Sequence, residues 1–187
     1  MALSSAYEIE LKALLSEGKY KELCTKLPLQ MKLINKETQH TTKYRLLDKK
    51  GDIRLRHSNN KFEIVYKDDS CTSIARNEVA ISLTSKEEID RFSKVLALLN
   101  LKADPPWTNH RQEFEYEFNG YKYNLSLQYI EKFAYILEVE FLGNKDEERI
   151  HEQNIRGIIK KLGCNPINKE EFSEMIKKYI KDNKELM

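Results

Sequence analysis

Tyr7-Glu8-Ile9-Glu10-Leu11-Lys12 alternates apolar and charged side chains without a break. A strand turns successive side chains to opposite faces, so this stretch predicts a β-strand with Tyr7, Ile9 and Leu11 on one face and Glu8, Glu10 and Lys12 on the other. The pattern returns along the chain. Ile53-Arg54-Leu55-Arg56 and Lys61-Phe62-Glu63-Ile64-Val65-Tyr66-Lys67 alternate on either side of Asn59-Asn60, residues that tolerate positive φ and suit a tight hairpin turn. If that turn has two residues, Arg56 faces Glu63. A strand over Ala75 to Leu83 puts Arg76 and Glu78 on one face. After Pro105-Pro106, Arg111 to Phe118 and Tyr121 to Tyr129 flank Asn119-Gly120, the strongest short hairpin signal, and a last strand over Ile136 to Leu142 carries Glu138 and Glu140 together.

Helical spacing interrupts these strands. Tyr20, Leu23, Cys24 and Leu27 recur at i, i+3, i+4 and i+7, and Pro28 predicts the end of that helix. Ser85 and Glu88 form a capping box before the stripe Ile89, Phe92, Val95, Leu96 and Leu99. Ile155, Ile158, Ile159 and Leu162 precede Gly163, and an Asn168/Glu171 box leads into Phe172, Met175, Ile176, Tyr179 and Ile180. No repeat or long linker divides the chain, so the expectation is one α+β domain over residues 1–187, with a barrel core at about 7–143 and a helical tail at about 146–187. The tail is expected to cap the barrel; a homodimer contact and the binding of a partner are the alternatives.

Strand after strand carries Glu, Lys or Arg on its polar face, while the helices offer apolar stripes to the other. That combination predicts an antiparallel sheet closed into a barrel, its apolar side outward under the helices and its charged side around a lumen. Buried ions cost several kcal/mol each unless paired or liganded, so such a lumen should be wet and should hold an ion or a polyanion.

Composition narrows the classes. A third of the 187 residues are charged but the net charge is only +2, which argues against a general binder of duplex nucleic acid. Three widely spaced cysteines, Cys24, Cys71 and Cys164, predict neither a zinc site nor a disulfide framework, and the default compartment is a reducing cytoplasm. The chain has no apolar run near the ~20 residues that span a bilayer. His40, His57, His110 and His151 share no metal-ligand spacing, and the glycine-rich phosphate loops are absent.

Glu8/Glu10 and Glu138/Glu140 sit at i, i+2, which places each pair on one face. Oxygen ligands in that arrangement suit Mg²⁺ or Mn²⁺. Lys12, Arg54, Arg56, Lys67, Arg76 and Arg111 could grip phosphate oxygens, arginine through its planar fork and lysine as a point charge. The two sets together describe a metal triphosphate.

In this order the motifs resemble those of the CYTH domain, or triphosphate tunnel metalloenzyme, family, which includes class IV adenylate cyclases, thiamine triphosphatases, inorganic triphosphatases and RNA triphosphatases. The resemblance runs from about Tyr7 to Gly143. The leading E-x-E-x-K is matched by Glu8-Ile9-Glu10-Leu11-Lys12, the L-R-x-R segment by Ile53-Arg54-Leu55-Arg56, and the strand-end lysine by Lys67. The R-x-E strand is matched by Arg76-Asn77-Glu78, the later arginine by Arg111, and the closing E-x-E by Glu138-Val139-Glu140. Each motif is weak alone; the ordered set is far more specific.

The resemblance implies an eight-stranded antiparallel tunnel in which the glutamates bind metal, the basic residues hold triphosphate, and Lys12 sits beside the attacked phosphorus or its nucleophilic water as a candidate base. Glu78 would support that set. Gln128 stands where the family often has Asp, which puts a second metal in doubt, although a Gln carbonyl can accept from a metal-bound water. Asn109 stands where a lysine often precedes the arginine, and the family's Y-Y-D-T segment is not evident in Gln39 to Arg45. The leading expectation is metal-dependent hydrolysis of a nucleoside, thiamine or inorganic triphosphate. Cyclisation of ATP to cyclic AMP is the first alternative, RNA 5′-triphosphate hydrolysis and non-catalytic nucleotide or polyphosphate binding the others. Tyr7, Tyr44 and Phe62 are read as core or rim residues rather than base-stacking ones.

Overall fold

The computed structural model describes residues 5–46, 51–59, 61–68 and 75–186. In order the elements are β1 (Ser5–Leu15), α1 (Glu17–Gln30), β2 (Lys32–Arg45), β3 (Gly51–Ser58), β4 (Lys61–Asp68), β5 (Ala75–Leu83), α2 (Lys86–Leu98), β6 (Lys102–Ala103), β7 (Trp107–Phe118), β8 (Tyr121–Ile130), β9 (Ala134–Gly143), α3 (Glu148–Lys161) and α4 (Lys169–Asp182).

All strand pairings are antiparallel, in the order β3-β4-β5-β1-β9-β8-β7-β2, and β2 also pairs with β3. Eight strands therefore return on themselves as a loose barrel, with the short β6 beside the end of β2. The seams at β1–β5 and β2–β3 are short, five and six described residue pairs, and this loosens the closure. No described helix is long and apolar enough to cross a membrane.

The hairpins follow the predicted chemistry. Asn119 and Gly120 take φ of 52° and 78° between β7 and β8, the left-handed pair that a two-residue turn requires. Asn59 has φ 48°, and Arg56 pairs with Glu63; Asn60 itself lies outside the described residues, as does Cys71.

Alternation sends most of the apolar strand residues outward. Ile9, Ala13, Phe114, Tyr123, Leu125, Leu127, Leu137 and Val139 are buried under α1 and α3, against Leu23, Leu27, Ile155, Ile158 and Ile159. A smaller cluster of Tyr44, Leu55 and Leu96 forms where α2 covers β2, β3 and β4. The main apolar core thus lies outside the barrel wall. Tyr44 donates to or accepts from Ser93 on α2, Phe62 stacks beside His57, and Tyr7 packs against the outer core, so these three are structural rather than lumen-facing.

Three elements differ from expectation. Helix α1 runs past Pro28 to Gln30. In the last turn a proline removes a single helical hydrogen bond, and Met31 N still donates to Leu27 O at 2.8 Å. The 14-residue strand β2 carries no clear alternation, because its outer face is also polar: Thr38 and His40 bond to His110 and Thr108 of β7. The predicted stripe of α2 is only half used. Leu96 is buried and Ile89 packs beside it, whereas Phe92, Val95 and Leu99 remain exposed.

Candidate functional site in the barrel lumen

The lumen-facing positions of β1 are Glu8, Glu10 and Lys12, and the register with β9 sets Glu10 opposite Glu140 and Lys12 opposite Glu138. Two glutamates that look equivalent in the sequence therefore meet different neighbours. Lys12 Nζ lies 2.7 Å from both Glu10 Oε1 and Glu138 Oε2. Arg111, on β7, approaches Glu138 at 3.8 Å and bonds Glu113 at 2.9 Å. Burial alone would raise the Glu138 carboxyl, but Lys12 and Arg111 hold it well below the usual carboxylate range. Glu140 makes no such ion pair among the described residues. Burial first, then the charges of Glu138 and Glu8, push its carboxyl up to about 7.

Across the β1–β5 seam, Lys67 of β4 is buried between Glu8 at 2.8 Å and Glu78 at 2.5 Å. Burial would raise Glu78, yet Lys67 draws it below its ordinary range. Arg54 is held by Asp52 through two bonds of 2.6 and 3.1 Å. Arg56 differs: among the described residues no carboxylate lies within ion-pair distance, and its Nε is buried without a hydrogen-bond partner. Burial, then the nearby Arg54 and Arg111, lowers its guanidinium below the ordinary value. The Nε of Arg111 is likewise buried and unpartnered. Arg76 pairs by backbone with Glu8, and its side chain lies outside the described residues.

Carboxylate oxygens of Glu8, Glu10 and Glu140 lie within 4.8 Å of one another, the one such group of metal-ligating residues found among the described residues. A cation with metal–oxygen distances of about 2.1 Å can be held by three such oxygens after small side-chain adjustments. Glu138 is not part of this triad; its oxygens serve Lys12 and Gln128. A cavity of about 60 Å³ lies beside the triad, lined by Arg111, Glu113, Asn124, Ser126, Glu138 and Glu140 among others. It has room for roughly two waters.

Gln128 is engaged at both ends of its side-chain amide. Its Oε1 accepts from Asn109 Nδ2 at 2.8 Å, and its Nε2 donates to Glu138 Oε1 at 3.0 Å and Ser126 Oγ at 2.6 Å. The carbonyl expected to accept from a metal-bound water accepts from Asn109 through one of its two lone pairs, and the amide nitrogen holds Glu138. Sequence reasoning also treated Asn109 only as a missing lysine. Its register beside Gln128 through Arg111 was the available signal, since residues two apart on β7 share a face.

No family model matches the chain, and neither does any curated protein compared with it. Solved structures do match. The PH1819 protein of Pyrococcus horikoshii OT3 is 19% identical, with a TM-score of 0.73 over 92% of this chain and 99% of that one. A Vibrio parahaemolyticus protein provisionally assigned as an adenylate cyclase is 12% identical, with a TM-score of 0.69 over 93% of this chain and 99% of that one. A Bacillus halodurans protein with the same provisional assignment is 19% identical, with a TM-score of 0.58 over 86% and 92%. At these identities the likeness is one of fold, which this chain shares with two proteins provisionally assigned as adenylate cyclases.

Proposed function

We propose that the chain is a divalent-metal-dependent enzyme that hydrolyses a triphosphate inside the barrel, working as one domain in the cytoplasm. The observation that carries this reading is the facing of two sets within one lumen: the carboxylate triad of Glu8, Glu10 and Glu140, and cations that include two buried, unpartnered arginine Nε donors. Buried donors without partners are costly, and phosphate oxygens are the acceptors that match a guanidinium fork.

Glu8, Glu10 and Glu140 would hold Mg²⁺ or Mn²⁺, which supplies charge neutralisation at the phosphate oxygens. Glu8 and Glu10 are each bound to a lysine, Lys67 and Lys12, so turning them toward a cation releases those lysines for phosphate. Arg56 and Arg111 add charge-assisted bonds as negative charge shifts on the phosphoryl oxygens. Lys12, still anchored by Glu138 at 2.7 Å, is placed to orient the attacking water or the phosphate it attacks. Glu138, held by Gln128 and Arg111, supports Lys12. Glu78 keeps Lys67 in place.

Cyclisation of ATP is the second reading, supported by the provisional assignment of two structural neighbours as adenylate cyclases. Purified protein incubated with Mg²⁺ or Mn²⁺ and ATP, GTP, thiamine triphosphate, inorganic triphosphate or triphosphorylated RNA decides between them. Orthophosphate supports hydrolysis; cyclic nucleotide with pyrophosphate replaces it with cyclisation. Tight binding without product makes the tunnel a binding module.

A further inference from the structure

The lumen leaves buried polar atoms of two opposite kinds without a partner. Arg56 Nε and Arg111 Nε are donors; Asn109 Oδ1 is an acceptor, on a side chain only 3% exposed. The direction of that acceptor is fixed by a chain of bonds. Glu138, ion-paired with Lys12, can only accept, so Gln128 must turn its Nε2 toward Glu138 and its Oε1 toward Asn109. Asn109 must then give its Nδ2 to Gln128, which leaves Oδ1 facing away from the relay.

An ionised triphosphate carries acceptors only, so it can satisfy the two arginines and not Asn109. The wall also changes character here. Leu14, Ile130, Ile136 and Trp107 hold the lumen-facing positions of β1, β8, β9 and β7 at this end, in phase with Lys12, Gln128, Glu138 and Asn109. An uncharged, partly apolar ligand group suits this stretch; a phosphate does not.

We propose that Asn109 is a specificity-determining residue, whose Oδ1 accepts an N–H or O–H from the uncharged part of an organic triphosphate. The substrate is then a triphosphate ester bearing such a donor, a nucleoside or aminated heterocycle, rather than inorganic triphosphate. This rests on the reading of the lumen as a metal-triphosphate site.

The test is calorimetric binding in Mg²⁺ of ATP, GTP, thiamine triphosphate, methyl triphosphate and inorganic triphosphate to the wild type and to Asn109→Leu. For the wild type, the best donor-bearing ester should bind roughly tenfold or more tighter than methyl triphosphate, the effect of one buried acceptor left unpaired. Asn109→Leu should erase that preference, bringing the ratio of the two affinities to about one beneath whatever common loss the broken bond to Gln128 imposes on every ligand. Equal wild-type binding of the donor-bearing esters and methyl triphosphate overturns the proposal, and so does an equal loss for every ligand in Asn109→Leu. In both cases the metal-triphosphate site still stands. Absence of wild-type binding to all five ligands removes the underlying reading and this one with it. Should Asn109→Leu fail to fold, the wild-type ligand series alone decides.

Discussion

Replacing Glu140 with Gln should make the metal-free protein more stable at pH 8 while removing its affinity for metal. In the folded state the Glu140 carboxyl is pushed from an ordinary 4.5 to about 7 by burial and by the charges of Glu138 and Glu8. The folded form therefore binds this proton more tightly than the unfolded chain does. Stability contributed by this group declines as pH rises from about 4.5 to about 7, and above that the full cost persists. That displacement corresponds to about 3 kcal/mol. The amide introduced by Glu140→Gln keeps the acceptor that Asn124 Nδ2 reaches at 3.3 Å but carries no charge, so only the cost is removed. For a chain of this length about 3 kcal/mol is a rise in Tm of roughly 6–12 °C at pH 8, shrinking toward zero near pH 4.5. Urea and thermal unfolding of both proteins in EDTA across pH 5–8.5 measures it. Mn²⁺ at pH 8 should then raise the Tm of the wild type and not of the variant. Equal stability of the two proteins at pH 8, or a gain of the same size at pH 5, would refute the assignment of Glu140 as a carboxylate held against its own charge.

Other substitutions separate binding groups from structural ones. Glu10→Gln and Glu138→Gln should each abolish metal-dependent turnover with the fold retained by circular dichroism, the first through the triad and the second through Lys12; wild-type activity in both would remove these residues from the site. Arg56→Ala should weaken triphosphate binding about 10- to 100-fold by calorimetry with little change in stability, because no folded-state ion pair is lost. Lys67→Met should instead destabilise the protein by about 3–5 kcal/mol in urea titration, since it leaves Glu8 and Glu78 buried without their cation.

The parts legible in the sequence were those governed by local rules. Period-2 alternation placed β1, β3, β4, β5 and β9, and Asn119-Gly120 fixed the β7–β8 hairpin. Ser85 and Asn168 cap their helices as read, accepting from Glu88 N and Glu171 N. Glu88 departs from the predicted box by bonding Thr84 N rather than the cap residue. Strand β2 was missed because both its faces are polar, so only its neighbours β3 and β7 specify it. The division of labour between Glu138 and Glu140 was invisible for a related reason. Spacing says that both share a face; only the register, which sets Lys12 against one and Glu10 against the other, makes one a lysine's counter-ion and the other a carboxyl that titrates near neutrality.

That same register explains how so charged an interior can fold at all. Each ionised glutamate of the lumen that meets a lysine is paired in advance, with each lysine shared by two carboxylates: Glu8 and Glu78 on Lys67, Glu10 and Glu138 on Lys12. These pairs offset part of the desolvation cost of the ions within the protein. Under the proposed function, binding is an exchange of partners, carboxylates from lysine to metal and lysines from carboxylate to phosphate. The free energy of such an exchange is a difference between similar terms, and its sign is set by the groups with no partner to give up. Among the described residues of this lumen those include the Nε atoms of Arg56 and Arg111 and the Oδ1 of Asn109, and the first two ask for an anion where the third asks for a donor. A ligand that meets all three must carry phosphate at one end and an N–H or O–H at the other.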